Sequence, residues 1–458
     1  MSKKVPADPH AAIYTTAGGV EDGELVIADH VGDPGVEEAA RAHRVPEGPL
    51  TTSDGLPLKT ALARAGGRAR RRAFMLVFPL LAFILLTFVA PIAQMLHRSV
   101  YSPNFVDDMP SLVSWFSTHP KGSKIDETAY AALVEDLRLA KKNRAAGIVG
   151  TRINYELAGS RSLFTQGARK AAKLKPPYKE ALLALNPKWQ NPALWQVMRG
   201  ASRAYTGNFY LAALDRTRNV TGAIVPVDKD HQIYVKLFKR TLSLSALITF
   251  LTLVLAFPIA HLLATLPLRY SNLLMVLVLL PFWTSLLVRT TSWMVLLQSQ
   301  GVLNDLLVAA GLIGDDNRIQ MMYNRTGTVV AMTHILLPFM VLPLYSVMRP
   351  INPSYVRAAR SLGATSWTAF RRIYFPQTVP GIGAGGLLVF ILAVGYYITP
   401  ALVGGANGQL ISNLIAFHMT KSLNWSMAAA LAALLLGGIL VLYWLYDRLV
   451  GIDKLKLG

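Results

Sequence analysis

The side chains that most often perform covalent or metal chemistry are absent or unsuitably spaced in this sequence. Cysteine does not occur, which excludes disulfides, thiolate metal sites and cysteine nucleophiles. The nine histidines show no H-E-x-x-H spacing, and neither a G-x-x-x-x-G-K-S/T phosphate loop nor a G-x-S-x-G nucleophile elbow is present. The sequence therefore predicts no catalytic residue, no metal ligand and no cofactor in this chain, and it indicates a protein that is not an enzyme.

Ionisable side chains inside long apolar stretches are the next candidates for a function. A charge in a membrane span is costly, and by default it marks a pathway or an ion pair. Arg289 is such a residue, although a place near the end of a span would let its side chain reach the interface. We expect His261 and His334 to be neutral and hydrogen bonded in contacts between helices.

Aromatic and hydroxyl side chains close to these charges can line a passage for an organic cation, because the face of an aromatic ring attracts cations. A belt of aromatic residues at the membrane interface explains the tyrosines equally well. The candidate pathway residues are Trp283, Arg289, Tyr396, Tyr397 and Thr399.

Composition and clustering predict an all-α membrane protein. The chain is 52% hydrophobic and only 16% charged, and its apolar residues are concentrated in runs. Residues 74–96 include no charged residue. At about 1.5 Å per residue, this run is long enough to cross a bilayer core of about 30 Å. Six transmembrane helices are predicted, at 74–96, 241–264, 272–297, 327–348, 381–398 and 425–446.

The distribution of positive charge predicts the orientation of these spans. The net charge of +20 would suit a nucleic-acid-binding protein only if it formed a soluble basic face. In a chain this apolar, lysine and arginine beside anionic lipid headgroups explain the charge better. The basic residues of 64–72 and 349–372 lie on one side if both termini are cytoplasmic, and the loops 298–326 and 401–424 are then periplasmic.

The segments outside the spans differ in composition. Residues 1–73 are predicted to be a disordered cytoplasmic tail, since no helical or strand period persists there. A cleaved signal peptide is not expected, because its charged region would lie at the very N-terminus and its apolar stretch would be shorter. Residues 97–239 are too polar to span and are predicted to form a periplasmic inserted helical domain, with an amphipathic pattern at 129–140. Residues 452–458 are the predicted cytoplasmic C-terminus.

The stretch from Asn352 to Pro376 carries the most specific pattern. Asn352 can cap a helix that begins at Pro353, where the missing N–H costs nothing. Gly363 can adopt the left-handed conformation that ends a helix, and Thr365 can cap a second short helix that must stop before Pro376. The first helix would present Tyr355, Ala358, Ala359 and Leu362 on one face. The pattern predicts a helix–turn–helix element between two spans, with an amphipathic connector resting on lipid headgroups as the alternative.

This stretch resembles the EAA loop of ABC importer permeases, whose pattern is Glu-Ala-Ala, three residues, Gly, nine residues, Ile, one residue, Leu-Pro. Arg357 and Phe375 depart from that pattern, where the family has Glu and Leu. In the family this loop is the coupling helix that docks in a groove of the ATPase subunit. The resemblance therefore implies that ATPase coupling runs through Arg357, Ala358, Ala359, Gly363, Ile373 and Pro376.

Residues 281–290, 396–405 and 423–451 resemble the matching parts of spermidine/putrescine permeases. The resemblance covers 74–96 and a transmembrane domain at 240–451, with the coupling loop at 349–380. It implies the six-helix arrangement of type I (MetI-like) importer permeases in the bacterial inner membrane. The long segment 97–239 departs from the family, in which the first periplasmic loop is much shorter.

The resemblance also implies partners and a function. The partners are a second permease subunit, an ATPase dimer that binds ATP and Mg, a periplasmic substrate-binding protein and the lipid bilayer, with no nucleic acid. The function is a translocation pathway for polyamines or a similar small solute. The alternatives are an ATP-independent secondary transporter or channel, and a membrane scaffold that presents 97–239. A secondary transporter would favour inverted repeats and paired intramembrane charges, and the sequence shows neither.

Overall fold

The computed structural model describes residues 58–219 and 222–450, so the predictions for residues 1–57 and 452–458 lie outside the described part. The chain divides into two units, Met1–Thr87 and Phe88–Gly458. Helix α1 spans Leu58–Ile84 and is followed by a π-helical turn at Leu85–Val89.

The start of α1 corrects the predicted extent of the disordered tail. Residues 58–73 are helical, whereas the tail was expected to run to residue 73. Alanine, leucine, lysine and arginine dominate this stretch, and all four are strong helix formers. Their summed preference outweighs the two glycines in it.

The inserted domain lies between α2, Ala90–Val100, and α11, Tyr234–Thr265. It is built from short helices around one apolar core, in which Phe164, Leu133 and Trp189 are almost inaccessible. Its helices are α3 (Asn104–Asp108), α4 (Pro110–Thr118), α5 (Glu127–Lys142), α6 (Ala146–Asn154), α7 (Ser160–Ala171), α8 (Tyr178–Leu185), α9 (Pro192–Ala201) and α10 (Asn208–Ala213). The predicted amphipathic face of α5 is the side that enters this core.

Two aspartates stabilise the starts of α5 and α4 in different ways. Asp126 is the N-cap of α5 and accepts a hydrogen bond from the backbone N–H of Ala129, at 3.2 Å. Asp136, fully buried on α5, accepts the backbone N–H groups of Ser111 and Leu112 at 3.0 and 2.7 Å. Asp136 thereby satisfies the unpaired amides at the start of α4, which lacks a local side-chain cap.

A β hairpin and α10 connect the inserted domain to the helices that follow. Strand β1, Arg216–Arg218, pairs antiparallel with β2, Ile224–Pro226, an element that the sequence patterns did not indicate. On α10, Phe209 and Ala213 pack against a later group of apolar side chains, which are Ile411, Met427, Ala430 and Leu431. The hydroxyl of Tyr155 also donates to the carbonyl of Leu423, at 2.9 Å.

The rest of the described chain is helical. Its elements are α12 (Leu268–Trp283), α13 (Leu286–Leu297), α14 (Val302–Ala309), α15 (Arg325–Met348), α16 (Pro353–Ser361), α17 (Ser366–Ala369), α18 (Phe375–Gly395), α19 (Ile398–Val403), α20 (Gly405–Gly408), α21 (Ile411–Thr420) and α22 (Trp425–Val450). The described residues include five helices long and apolar enough to cross a membrane, and six spans if the bent pair after α11 counts as one. The protein is therefore an all-α membrane protein.

The third span is not the single straight helix predicted at 272–297. The chain bends by 98° between Leu268–Trp283 and the segment Leu286–Ala309. Pro281 lies in the last turn of α12, and the side chain of Ser285 accepts the N–H of Val288, which starts a new helix. Proline removes a helical hydrogen bond and the serine cap supplies a new start, so the helix breaks between them.

Helices α11, α15 and α18 form the centre of the transmembrane part. A Cβ atom at Gly381 would lie 3.1 Å from the carbonyl oxygen of Pro343, and one at Gly385 would lie 2.8 Å from Sδ of Met340. These two glycines let α18 approach α15 closely, as small residues do in membrane helix pairs. Gly383 instead faces Tyr446 of α22, so the glycines of α18 allow close packing against two different helices.

Candidate functional site

The loop after α15 has the predicted helix–turn–helix geometry in its first half. The side chain of Asn352 accepts the N–H of Ser354 at 2.9 Å, and Pro353 is the first residue of α16. Gly363 has φ = +90° and ends the turn, and a Cβ there would meet nothing within 4 Å. Thr365 then caps α17 by accepting the N–H of Thr368 at 3.2 Å. Asn352, Gly363 and Thr365 therefore have the capping and turn roles that the sequence predicted.

The second half of this loop corrects the prediction that a short helix stops before Pro376. The chain passes from α17 through a π-helical turn, Phe370–Tyr374, directly into α18, and Ser366–Gly395 is one candidate span. Proline offers no N–H to the carbonyl one turn earlier. A π turn changes the hydrogen-bond register at that point, so the helix absorbs the proline without ending.

The predicted coupling residues differ in exposure. Arg357, Ala358, Gly363 and Pro376 are exposed, while Ala359 and Ile373 are half-buried. Three large apolar side chains of the same loop are also exposed: Leu362 at 90%, Trp367 at 68% and Tyr355 at 55%. The loop thus presents apolar and arginine side chains together on an open surface. Leu362 and Tyr355 belong to the helical face identified from the sequence, whereas Trp367 was missed.

A second candidate region lies where two broken helices meet. The hydroxyls of Thr290 on α13 and Thr399 on α19 are both buried and 3.2 Å apart. The backbone is extended at Tyr396, between α18 and α19, and the carbonyls of Tyr396 and Tyr397 accept hydrogen bonds from Ser412 and Asn413. Irregular backbone at membrane depth needs such internal partners, because lipid supplies none.

Arg289 belongs to this region. Its Nη2 donates to the carbonyl of Thr284 at 2.9 Å, across the break between α12 and α13, and its Nε is buried without a partner among the described residues. Arg289 immediately precedes Thr290, whose hydroxyl lies 3.2 Å from that of Thr399, and Tyr396 lies three residues before Thr399. The structure therefore gathers Arg289, Tyr396 and Thr399 around one pair of helix breaks.

The remaining pathway candidates are more exposed, and the histidines are paired. Trp283 is 76% exposed and Tyr397 47% exposed. Nδ1 of His261 lies 2.9 Å from the hydroxyl of Tyr374, and Trp293 donates to Nδ1 of His334 at 3.1 Å. Both histidines are hydrogen bonded between helices, as expected from the sequence.

Sequence reasoning missed Thr290, Ser412 and Asn413. The run Arg289-Thr290-Thr291-Ser292 within a predicted span was an available signal for the first of these. No sequence pattern pointed to Ser412 and Asn413, because only the folded chain brings α21 next to the break at Tyr396.

Comparison with known proteins places this arrangement in a family. Residues 242–451 match the family described as binding-protein-dependent transport system inner membrane component. The chain is 36% identical over 221 residues to the spermidine/putrescine transport system permease protein PotB of Escherichia coli (strain K12), covering 48% of this chain and 80% of the relative. For PotB of Haemophilus influenzae (strain ATCC 51907 / DSM 11121 / KW20 / Rd) the identity is 34% over 216 residues, covering 47% and 75%. The crystal structure of a bacterial ABC transporter involved in import of the acidic polysaccharide alginate aligns with a TM-score of 0.42 and 16% identity, over 67% of this chain and 99% of that one.

The chain belongs to the family of binding-protein-dependent transport system inner membrane components. It is a multi-pass membrane permease of an ABC importer, a transport component and not an enzyme.

Proposed function

We propose that this chain forms the translocation pathway of an ATP-driven importer for polyamines, such as spermidine and putrescine, or for a similar small solute. The observation that carries the proposal is the 36% identity to a permease named for spermidine and putrescine. The matched residues cover 80% of the length of that permease. A second permease subunit would complete the pathway, and a periplasmic binding protein would deliver the solute.

The loop 349–380 is the proposed contact with a separate ATPase, which would bind ATP and Mg. Apolar side chains as exposed as Leu362 and Trp367 commonly mark a protein interface. The small side chains of Ala358 and Ala359 let the α16 backbone approach a groove closely. Because α17 runs through the π turn into α18 without a break, displacement of the loop would be transmitted into a transmembrane helix.

The helix breaks at Thr284–Ser285 and at Tyr396–Tyr397 are the proposed substrate region. The ring faces of Tyr396 and Tyr397 suit a polyamine cation. Arg289 carries the same sign of charge as a polyamine, and its hydrogen bond to Thr284 favours a role in holding the break. Buried hydroxyls at Thr290 and Thr399 are suited to contact amino groups if the two helices separate during transport.

Uptake of labelled spermidine by intact cells tests this function. Cells that lack the chain should lose most of the saturable uptake, and the native gene should restore it. Excess unlabelled putrescine should reduce the uptake of labelled spermidine, while an amino acid of similar size and no net charge should not. Uptake that is unchanged without the chain, in cells with no other polyamine importer, would contradict the polyamine assignment.

A further inference from the structure

The inserted domain contains a cleft that lies outside the residues matched to the family. The cleft has a volume of about 600 Å³ and lies between the C-terminal ends of α4 and α9 and the strand β1. Sites for small molecules typically have volumes of about 300–1,000 Å³. Five of its lining residues are basic: His119, Lys121, Arg199, Arg203 and Arg218. Among the lining residues that the structure describes, none is Asp or Glu.

Arg199 is held in a fixed position in this cleft. Its Nη1 donates to the carbonyls of Phe116 and His119, at 3.3 and 2.6 Å, and the guanidinium lies 4.7 Å from the ring centroid of Phe116. Nε and Nη2 make no hydrogen bond with described residues and are not among the buried nitrogens. They form a planar fork whose spacing matches the two oxygens of a carboxylate. Partial burial lowers the pKa of Arg199 but leaves it charged, and desolvation strengthens its attraction for an anion.

The side chains of Lys121 and Arg218 both lie close to Gly222. Nη1 of Arg218 donates to the carbonyl of Gly222 at 3.3 Å, and a Cβ at Gly222 would lie 3.3 Å from Nζ of Lys121. Two cationic side chains thus lie beside Gly222, at the rim of the cleft. Arg203 is exposed and lines the same cleft.

Among the described residues, no carboxylate forms a direct ion pair with these cations. Within residues 70–219 and 222–448, the salt bridges of the structure join Arg152 to Glu156 and Arg318 to Asp305 and Asp315. Four like charges around one concave surface repel each other, and an anion in the cleft would relieve that repulsion.

We propose that this cleft binds a small organic anion with two or more carboxylate groups. One carboxylate is held by the free edge of the Arg199 guanidinium, and a second is held by Lys121 and Arg218. The same charges repel a polyamine, so this cleft would not bind the proposed substrate. It also lies in the inserted domain, apart from the helix breaks of the proposed substrate region. The proposal does not depend on the chain being a polyamine importer, and it holds or fails on binding alone.

Calorimetric titration of the full-length protein tests the site. The protein is placed in nanodiscs of phosphatidylcholine alone, and citrate is the probe. We expect saturable binding, with an affinity that falls as sodium chloride rises from about 50 to about 300 mM, because exposed charges are screened. Added spermidine should not displace citrate from the cleft.

A double variant and a matched control locate the site. Lys121→Ala with Arg218→Ala removes the two proposed contacts of the second carboxylate and should weaken citrate binding by about tenfold or more. Lys142→Ala with Lys173→Ala removes two exposed lysines of the same domain outside the cleft and should leave it unchanged. Both pairs are on the surface, so unchanged melting midpoints without citrate will show that both variants fold.

Three results would overturn the proposal. The first is no saturable citrate binding at low salt, and the second is equal weakening in the two double variants. The third comes from nanodiscs that contain phosphatidylglycerol. If this lipid alone abolishes citrate binding to the native protein, the anion held by the cleft is a lipid headgroup and not a soluble carboxylate.

Discussion

At the scale of single residues, Asp136 shows how one buried carboxyl group can join two helices. It is fully buried on α5, yet it accepts both amides at the start of α4. Burial raises the pKa of Asp136 above its ordinary 3.8, and the hydrogen bonds from Leu112 and Ser111 only partly oppose that rise. The folded state therefore binds a proton at this site more tightly than the unfolded chain does.

Asp136→Asn should change how stability depends on pH. A raised pKa in the folded state contributes stability that is present below the unfolded value and is lost as pH rises through the folded value. As pH rises above about 4, the native protein should therefore lose stability relative to the Asn variant, which carries no charge at this position. Thermal unfolding followed by the fluorescence of the core tryptophans in the inserted domain measures the difference.

Asp126 should show the opposite dependence of stability on pH and serves as a control for Asp136. The hydroxyl of Thr128 lowers the pKa of Asp126, so its stabilising effect is present above the unfolded value and is lost as pH falls through the folded value. Asp126→Asn should therefore reverse the sign of the trend. A pH-independent difference for both variants would show that neither carboxyl group titrates differently on folding.

Gly385 tests the close approach of α18 and α15. Gly385→Val places a branched side chain against Met340, where even a Cβ would lie 2.8 Å from the sulfur, and should destabilise the protein by about 1–3 kcal/mol. Gly386→Val has the same effect on helix preference but meets only Thr249, at 4.0 Å from its Cβ. Thermal unfolding in detergent should therefore separate the two variants, and equal midpoints would contradict the packing described here.

At the scale of elements, hydropathy located the spans, because a bilayer demands long apolar runs whatever the neighbouring helices are. The bend after α12 and the π turn before α18 were not predictable from hydropathy. In each case the result depends on how the chain compensates for the hydrogen bond that a proline removes. After α12 a serine cap starts a new helix, and before α18 a π turn shifts the hydrogen-bond register. Capping residues were predictable, so Asn352, Gly363 and Thr365 were placed correctly in the loop, whereas the exposed Trp367 had no sequence signal.

Ala359→Arg tests the loop as an element. Ala359 is half-buried on α16, and a long charged side chain there should block close approach of a partner groove while leaving membrane insertion intact. The expected result is loss of the co-purifying ATPase with normal amounts of the chain in the membrane. Ala172→Arg introduces the same side chain at an exposed site of the inserted domain and should recover the ATPase normally. Normal recovery with Ala359→Arg would exclude α16 from the contact.

At the scale of the whole molecule, the region matched to the family and the inserted domain are joined by packing as well as by the chain. Phe209 is almost inaccessible against residues of α21 and α22, and Tyr155 donates to the carbonyl of Leu423 just before α22. The inserted domain is therefore held against the last transmembrane helix. The sequence predicted a separate helical unit, but it could not reveal this contact, because the partners are more than two hundred residues apart.

The most direct test of the ATP-driven importer is to isolate the tagged chain from its own membranes in mild detergent and to identify by mass spectrometry what remains bound. The account predicts that a P-loop ATPase and a second multi-pass permease remain bound to the native chain, and that the ATPase is lost from the Ala359→Arg variant. Recovery of the native chain alone, or only with copies of itself, would contradict the account and favour a transporter that works without ATP.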